Sequence, residues 1–236
     1  MKQKIKINFS DFYNGFDKEN NDFINILREK YDVEISQKPD YLFYSTFGCD
    51  FLKHKCIRIF YTGECVSPDF NLCDYAIGFD NIVFGDRYIR MPLYQLFQYK
   101  KNFQTLLENR ITGDIPNKFC SFVCSNDQGM KERFQMFEML NEYKRVDSGG
   151  RFLNNVGGAV KNKFEFDRGH KFSIAFENSS YLGYTTEKIV EAFAAGTIPI
   201  YYGNPEIAKE FNEEAFINCH NFNTLEAAVQ YIIQVD

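Results

Sequence analysis

Apolar and polar positions along the chain run in two alternating rhythms. Short apolar stretches with strand character occur at residues 4–9, 33–36, 41–45, 56–61, 74–79 and 87–91. Between them, residues 21–31 carry Phe23, Ile24 and Leu27 on one face at helical spacing. Pro92 is suited to open a helix over 93–107, because its missing N–H costs nothing in the first turn. Residues 109–117 (NRITGDIPN) are polar, contain Gly113 and Pro116, and read as a linker. A second series follows: a strand at 118–124, a helix at 130–143, a Gly/Asn-rich loop at 147–158, a strand at 171–176, a helix at 186–195, a strand at 198–202 and an amphipathic helix at 223–233. Two strand–helix series joined by one linker predict an α/β protein with two nucleotide-fold halves facing a cleft, and ligands beyond the carboxyl ends of the strands.

The most informative stretch is the strand–loop–helix–strand run over 172–203. Thr185 or Thr186 is a plausible N-cap. Ile189, Val190, Phe193 and Ala194 form an inward stripe, Gly196 fits the position after the helix, and Pro199 stops its continuation. Lys188 lies in the first turn, where a cation opposes the helix dipole, so an anionic ligand is a reason to keep it there. Glu187 suits the dipole and can accept hydrogen bonds from vicinal sugar hydroxyls. Arg133, in the helix after SNDQGMKER, is a second cation able to grip phosphate oxygens in pairs, although an exposed arginine paired with Glu132 or Glu138 is the simpler alternative. Glu64 follows the strand CIRIFYTG and sits where a carboxylate base is useful. No Asp-x-Asp occurs, so a phosphate bound here would be met by cationic side chains and helix dipole rather than by a metal held in that motif.

Composition narrows the picture. Apolar residues make up 44% and charged residues 25% of the 236, the net charge is −5, and no long basic run is present, which argues against general nucleic-acid binding. The seven cysteines are odd in number and include no CxxC; on a strand, Cys120 and Cys124 would lie roughly 13 Å apart, too far to bridge. Buried thiols in a reducing compartment are the expectation. His54, His170 and His220 lack the grouping a zinc site needs. With no leader and no apolar run near ~20 residues, the chain is expected in the cytoplasm, a location compatible with peripheral contact at the inner face of a bacterial membrane.

The run FENSSYLGYTTEKIVEAFAAGTIPIYYG resembles the signature of glycosyltransferase family ten, the bacterial α-1,3/4-fucosyltransferases. In the same order, IFYTGECVSPDFNLCDYAIGFD resembles the family's acceptor-domain block, FCSFVCSNDQGMKERF its donor-domain opening, and VDSGGRFLNNVGG the glycine-rich loop that follows. The resemblance implies a GT-B fold of two Rossmann-like domains, 1–110 for the acceptor and 111–236 for GDP-fucose. It implies inverting transfer of L-fucose from GDP-β-L-fucose to O3 of N-acetylglucosamine in a glycan, with no cofactor and no metal. Glu64 then matches the base, and Arg133, Asn178, Tyr184, Glu187 and Lys188 match donor-binding positions; Ser125 and Asn126, after the first donor strand, lie near the expected cleft. The family's fold continues past a helix such as the last one here, so the chain is read as a short or truncated member. Two alternatives stand beside this: another nucleotide-sugar transferase of the same fold, and a non-catalytic sugar-nucleotide-binding module, against which Glu64 together with Arg133 and Lys188 argues. An oxidoreductase is disfavoured because no Gly-x-Gly-x-x-Gly follows a strand. Acceptor identity, 3- versus 4-linkage and oligomeric state stay open.

Overall fold

Every strand pairing among the described residues is parallel, as the alternation of strands and helices along the chain predicts. The computed structural model describes residues 2–96, 99–108, 116–125 and 127–236. The chain forms two units, Met1–Gln98 and Tyr99–Asp236.

In the first unit, β1 (Gln3–Ser10) leads into α1 (Asp22–Lys30), then β2 (Tyr31–Ile35), β3 (Tyr41–Tyr44), β4 (Ile57–Tyr61), β5 (Tyr75–Gly78) and β6 (Tyr88–Arg90). The sheet order is β2-β1-β3-β4-β5-β6. Asn21 caps α1 by accepting from the Ile24 N–H, and Phe23 and Ile24 are buried, as the helical stripe predicts.

The second unit begins with α2 (Lys100–Glu108) and continues through β7 (Lys118–Phe122), α3 (Lys131–Tyr143), β8 (Val146–Ser148), α4 (Lys163–Asp167), β9 (His170–Phe176), α5 (Lys188–Ala194), β10 (Ile198–Tyr202), β11 (Ile217–Asn218) and α6 (Leu225–Val235). Its sheet order is β11-β10-β9-β7-β8. Phe122, Met136, Leu140, Phe172, Phe176, Ile200 and Ile232 lie at its centre, each fully buried.

The helix expected over 93–107 is not continuous. Pro92 opens a single 3-10 turn, Leu93–Gln95, after which Leu96 is extended at φ −65° and ψ 150°. The α-helix starts at Lys100 and packs with α5, so it belongs to the second unit. Most of the expected linker, residues 109–115, lies outside the described residues. Three short elements were not legible: β8, at the start of the expected loop, β11, and the single turn of α4. Strands of three and two residues carry too little pattern, and their existence rests on pairing with β7 and β10.

Candidate active site

The winding of the second sheet reverses at one point. From β7 the chain moves to β8 on one side and then returns to β9 on the other, so the winding reverses between β7 and β9. In open parallel sheets the crevice at that reversal, beyond the carboxyl ends, is where ligands bind. The two segments that leave β7 and β9 there carry the donor-site residues predicted from sequence.

Arg133 is the third residue of α3 and is 7% exposed. Its Nη1 donates to Asn178 Oδ1 at 3.0 Å, and its guanidinium lies over the Phe122 ring, 5.7 Å from the centroid. Its Nε–H is buried with no hydrogen-bond partner among the described residues. Leaving a charged donor dry and unsatisfied costs stability, so such an atom points to a ligand that completes it. The exposed arginine paired with Glu132 or Glu138 is therefore not what forms. The Met130 N–H donates to the Asn178 carbonyl at 3.2 Å, tying the start of α3 to the loop after β9. Met130 is the N-cap and no side chain caps this helix, which leaves first-turn N–H groups for an anion.

Lys188 is held by a different set. Its ammonium donates to Glu177 Oε2 at 3.1 Å and to Thr186 Oγ1 at 2.8 Å, and Glu187 Oε1 lies 3.6 Å away. Burial works to discharge this amine; the Glu177 and Glu187 carboxylates outweigh it, against Arg133, and hold the ammonium above the ordinary lysine value. Neither Thr185 nor Thr186 is the N-cap. Helix α5 starts at Lys188 with Glu187 in the cap position, itself helical at φ −66° and ψ −17° and making no side-chain cap bond. The Thr186 hydroxyl is instead engaged by Glu177 and Lys188. With seven residues, α5 has little dipole to offer, so charge recognition here rests on side chains.

No signal in the sequence separates Glu177 from the other polar residues that follow β9. It is fully buried at the end of β9, and its carboxylate accepts from the Thr186 N–H at 2.7 Å and the Thr186 hydroxyl at 2.6 Å. Gly203, after β10, makes room for it: a Cβ there would sit 2.4 Å from Glu177 Cγ and 2.8 Å from the Tyr201 hydroxyl oxygen. Asn204 is also fully buried and accepts from the Gly183 and Glu206 N–H groups while donating to Thr185 Oγ1 and Glu210 Oε1, which fixes the loop ahead of α5. Of the remaining predicted residues, Tyr184 is buried at 2% exposure, Ser125 is exposed in the segment after β7, and Asn126 lies outside the described residues.

In the first unit, Glu64 is exposed just beyond β4. Its N–H donates to Thr62 Oγ1 at 3.0 Å, and Thr62 meets the Thr46 hydroxyl at 3.3 Å. Further along the same loop the Ser67 hydroxyl donates to Asp80 Oδ1 at 2.7 Å. Asp80 is 6% exposed, and its Oδ2 has no hydrogen-bond partner among the described residues. The loop bearing Glu64 is thus pinned on both sides of that residue. Among the described residues there is no group of three His, Cys, Asp or Glu side chains that could hold a metal, and no helix is long and apolar enough to cross a membrane. None of the seven cysteines is in a disulfide.

These features define an α/β protein of the GT-B type, with two parallel doubly wound units. Residues 7–97 match the alpha-(1,3)-fucosyltransferase FucT N-terminal domain, and residues 116–236 match the C-terminal part of glycosyltransferase family 10 (fucosyltransferase). The chain belongs to glycosyltransferase family 10. It is 37% identical to alpha-(1,3)-fucosyltransferase FucT of Helicobacter pylori over 88% of this chain and 51% of that protein, so it spans about half the length of this relative. A crystal structure of an alpha1,3-fucosyltransferase with GDP-fucose superposes with a TM-score of 0.85 at 32% identity, covering 100% of this chain and 79% of that one. The same comparison with an alpha1,3-fucosyltransferase structure holding GDP gives 0.85 at 32%, covering 99% and 78%.

Proposed function

We propose that this protein transfers L-fucose from GDP-β-L-fucose to a glycan hydroxyl, O3 of N-acetylglucosamine being the acceptor position assigned. The observation that carries the donor reading is Arg133: a buried guanidinium with an unused Nε–H, beside an uncapped helix start, at the winding reversal of a parallel sheet. The relative solved with GDP-fucose supports the same donor. Arg133 and Lys188 take the diphosphate, with Asn178, Tyr184, Glu187 and Ser125 around the nucleotide sugar.

In the reaction the acceptor oxygen bonds to the anomeric carbon as the bond from that carbon to the β-phosphate oxygen breaks. The hydroxyl proton passes to Glu64, and the electron pair leaves with GDP, whose developing charge is met by Arg133 and Lys188. Attack opposite the leaving group turns a β-linked donor into an α-linked product. No metal is needed in this scheme, because the two side-chain cations stand where a divalent ion otherwise would. The proposed site of action is the cytoplasm, facing a membrane-bound or soluble glycan.

The test is a donor screen on the purified chain: GDP-fucose, GDP-mannose and UDP-sugars against lactose and N-acetyllactosamine, with the product linkage read by NMR. Turnover with GDP-fucose alone, giving an α-1,3 product, is the expected result. Preferential turnover of a UDP-sugar overturns the donor, and a protein that binds GDP without transferring anything favours a binding module.

A further inference from the structure

We propose that Glu177 is the positioning residue of the donor site, its buried carboxylate fixing the Lys188 ammonium so that one N–H stays directed to a diphosphate oxygen. The inference rests on the donor reading above and deepens it. Glu177 is 0% exposed, so it touches no substrate and acts only through its neighbours.

The geometry is a closed cycle. Thr186 Oγ1 donates to Glu177 Oε2 at 2.6 Å, Lys188 Nζ donates to Thr186 Oγ1 at 2.8 Å, and Lys188 Nζ donates to Glu177 Oε2 at 3.1 Å. An ammonium has three donors. The cycle uses two of them, and Glu187 at 3.6 Å lies beyond hydrogen-bond reach, so one is left. The lysine side chain retains 17% exposure, the opening through which that donor meets a ligand. The second carboxylate oxygen is occupied by the Thr186 N–H at 2.7 Å, which stops Glu177 from rotating away. Gly203 supplies the space in which the carboxylate sits, and any side chain there displaces it. A lysine buried to this degree without a carboxylate loses its proton readily, and a neutral amine is a poor partner for a diphosphate.

Other charged and titratable groups lie around this cycle. Glu187 precedes it on the chain, Arg133 opposes it from α3, and Glu191 lies one turn on in α5, paired to Lys163 of α4 at 3.3 Å. The Tyr201 hydroxyl of β10, pushed well up by burial, borders Glu177, and Glu210 meets Thr185 at 3.4 Å. Among the described residues Glu177 and Glu187 give the ammonium a direct negative partner, and of these two carboxylates Glu177 is the one hydrogen-bonded to it.

The experiment is GDP binding by calorimetry between about pH 7 and about pH 9, a window above the nucleotide's own phosphate ionisation and below the ordinary lysine value. The proteins are the 236-residue chain, E177Q, and E177Q carrying K188R as well. The wild type is expected to bind with nearly constant affinity across the window. E177Q is expected to weaken as the pH rises, by about tenfold per unit once the lysine has passed its lowered pKa. Arginine keeps its proton, so the double variant is expected to regain a flat profile. Wild-type affinity in E177Q, or a uniform loss with no added pH dependence, overturns the inference. Should E177Q not fold, E177D carries the test: it keeps the charge but withdraws it by one methylene, so it is expected to bind GDP more weakly with a flat profile, and unchanged affinity overturns the inference. A wild-type chain that binds no GDP at all overturns the donor reading, and the role of Glu177 with it; wild-type binding beside an unaltered E177Q overturns the role alone.

Discussion

Two side chains divide the proposed chemistry, and each has its own signature. Glu64 is exposed, its carboxylate free to accept a proton, while its loop is anchored through Thr62 and Ser67. General-base catalysis is worth ~10²–10⁴-fold, so Glu64→Gln is expected to lower kcat by about that factor. Its GDP affinity should stay at the wild-type value, because the proposed donor residues all belong to the other unit. Steady-state transfer to N-acetyllactosamine beside a GDP titration measures both; a near-normal kcat would hand the proton to another acid, and buried Asp80 would be the first to test. Arg133→Ala removes the guanidinium and frees Asn178 Oδ1. A hydrogen bond to a charged group contributes about 1.5–3 kcal/mol, so GDP should bind about ten- to a hundredfold more weakly. An unchanged Kd would move the diphosphate away from α3.

At the level of elements, the loop after β9 and the start of β10's exit loop are one packed object. Gly203→Ala is expected to destabilise the protein by about 1–3 kcal/mol, because the added methyl meets Glu177 and the Tyr201 hydroxyl inside contact distance. Denaturant unfolding would show it, and a midpoint equal to wild type would mean the loop gives way freely. A separate ionic node holds the amino-terminal ends of β7, β8 and β9 together. Asp147 meets Lys118 at 3.1 Å, Arg145 at 2.8 Å and His170 at 3.2 Å. Burial raises its pKa, but the hydrogen bonds from Arg145, Lys118 and His170 dominate and lower it to about 2. A carboxylate depressed in the folded state adds stability above its unfolded pKa, and that stability is lost as pH falls from about 4 towards 2. Two of its three partners, Lys118 and Arg145, are largely exposed, so solvent screening limits the contribution to about 1 kcal/mol. Asp147→Asn should therefore be less stable than wild type at neutral pH and converge with it near pH 2, as followed by denaturant midpoints; a constant gap would assign the effect to packing.

Over the whole molecule, the proposed donor residues and the proposed base lie in different units, and each unit is a parallel sheet wound in both directions. GDP should stabilise the folded chain by linkage alone, about 2.7 kcal/mol at a hundredfold excess over Kd. That thermal shift, and transfer itself, are expected to persist in excess EDTA, since Arg133 and Lys188 supply the positive charge. Loss of both in EDTA, with recovery on adding manganese, would show that these cations are insufficient.

The sequence by itself determined the class of fold, most strands and most helices, because long apolar runs and helical stripes depend only on which residues are neighbours along the chain. It also identified Lys188, Asn178 and Arg133 as belonging together through the quoted motifs. It could not show that Glu177 is buried, that Thr186 turns its hydroxyl to that carboxylate rather than capping α5, or that Gly203 is needed for the space. It could not separate the 3-10 turn at Leu93–Gln95 from the helix beginning at Lys100, nor find β8 and β11. Those features arise from contacts between residues far apart in the chain, such as Glu177 against Gly203 or Arg133 against Asn178. Burial and hydrogen-bond satisfaction are properties of such contacts, and only the tertiary structure brings them about.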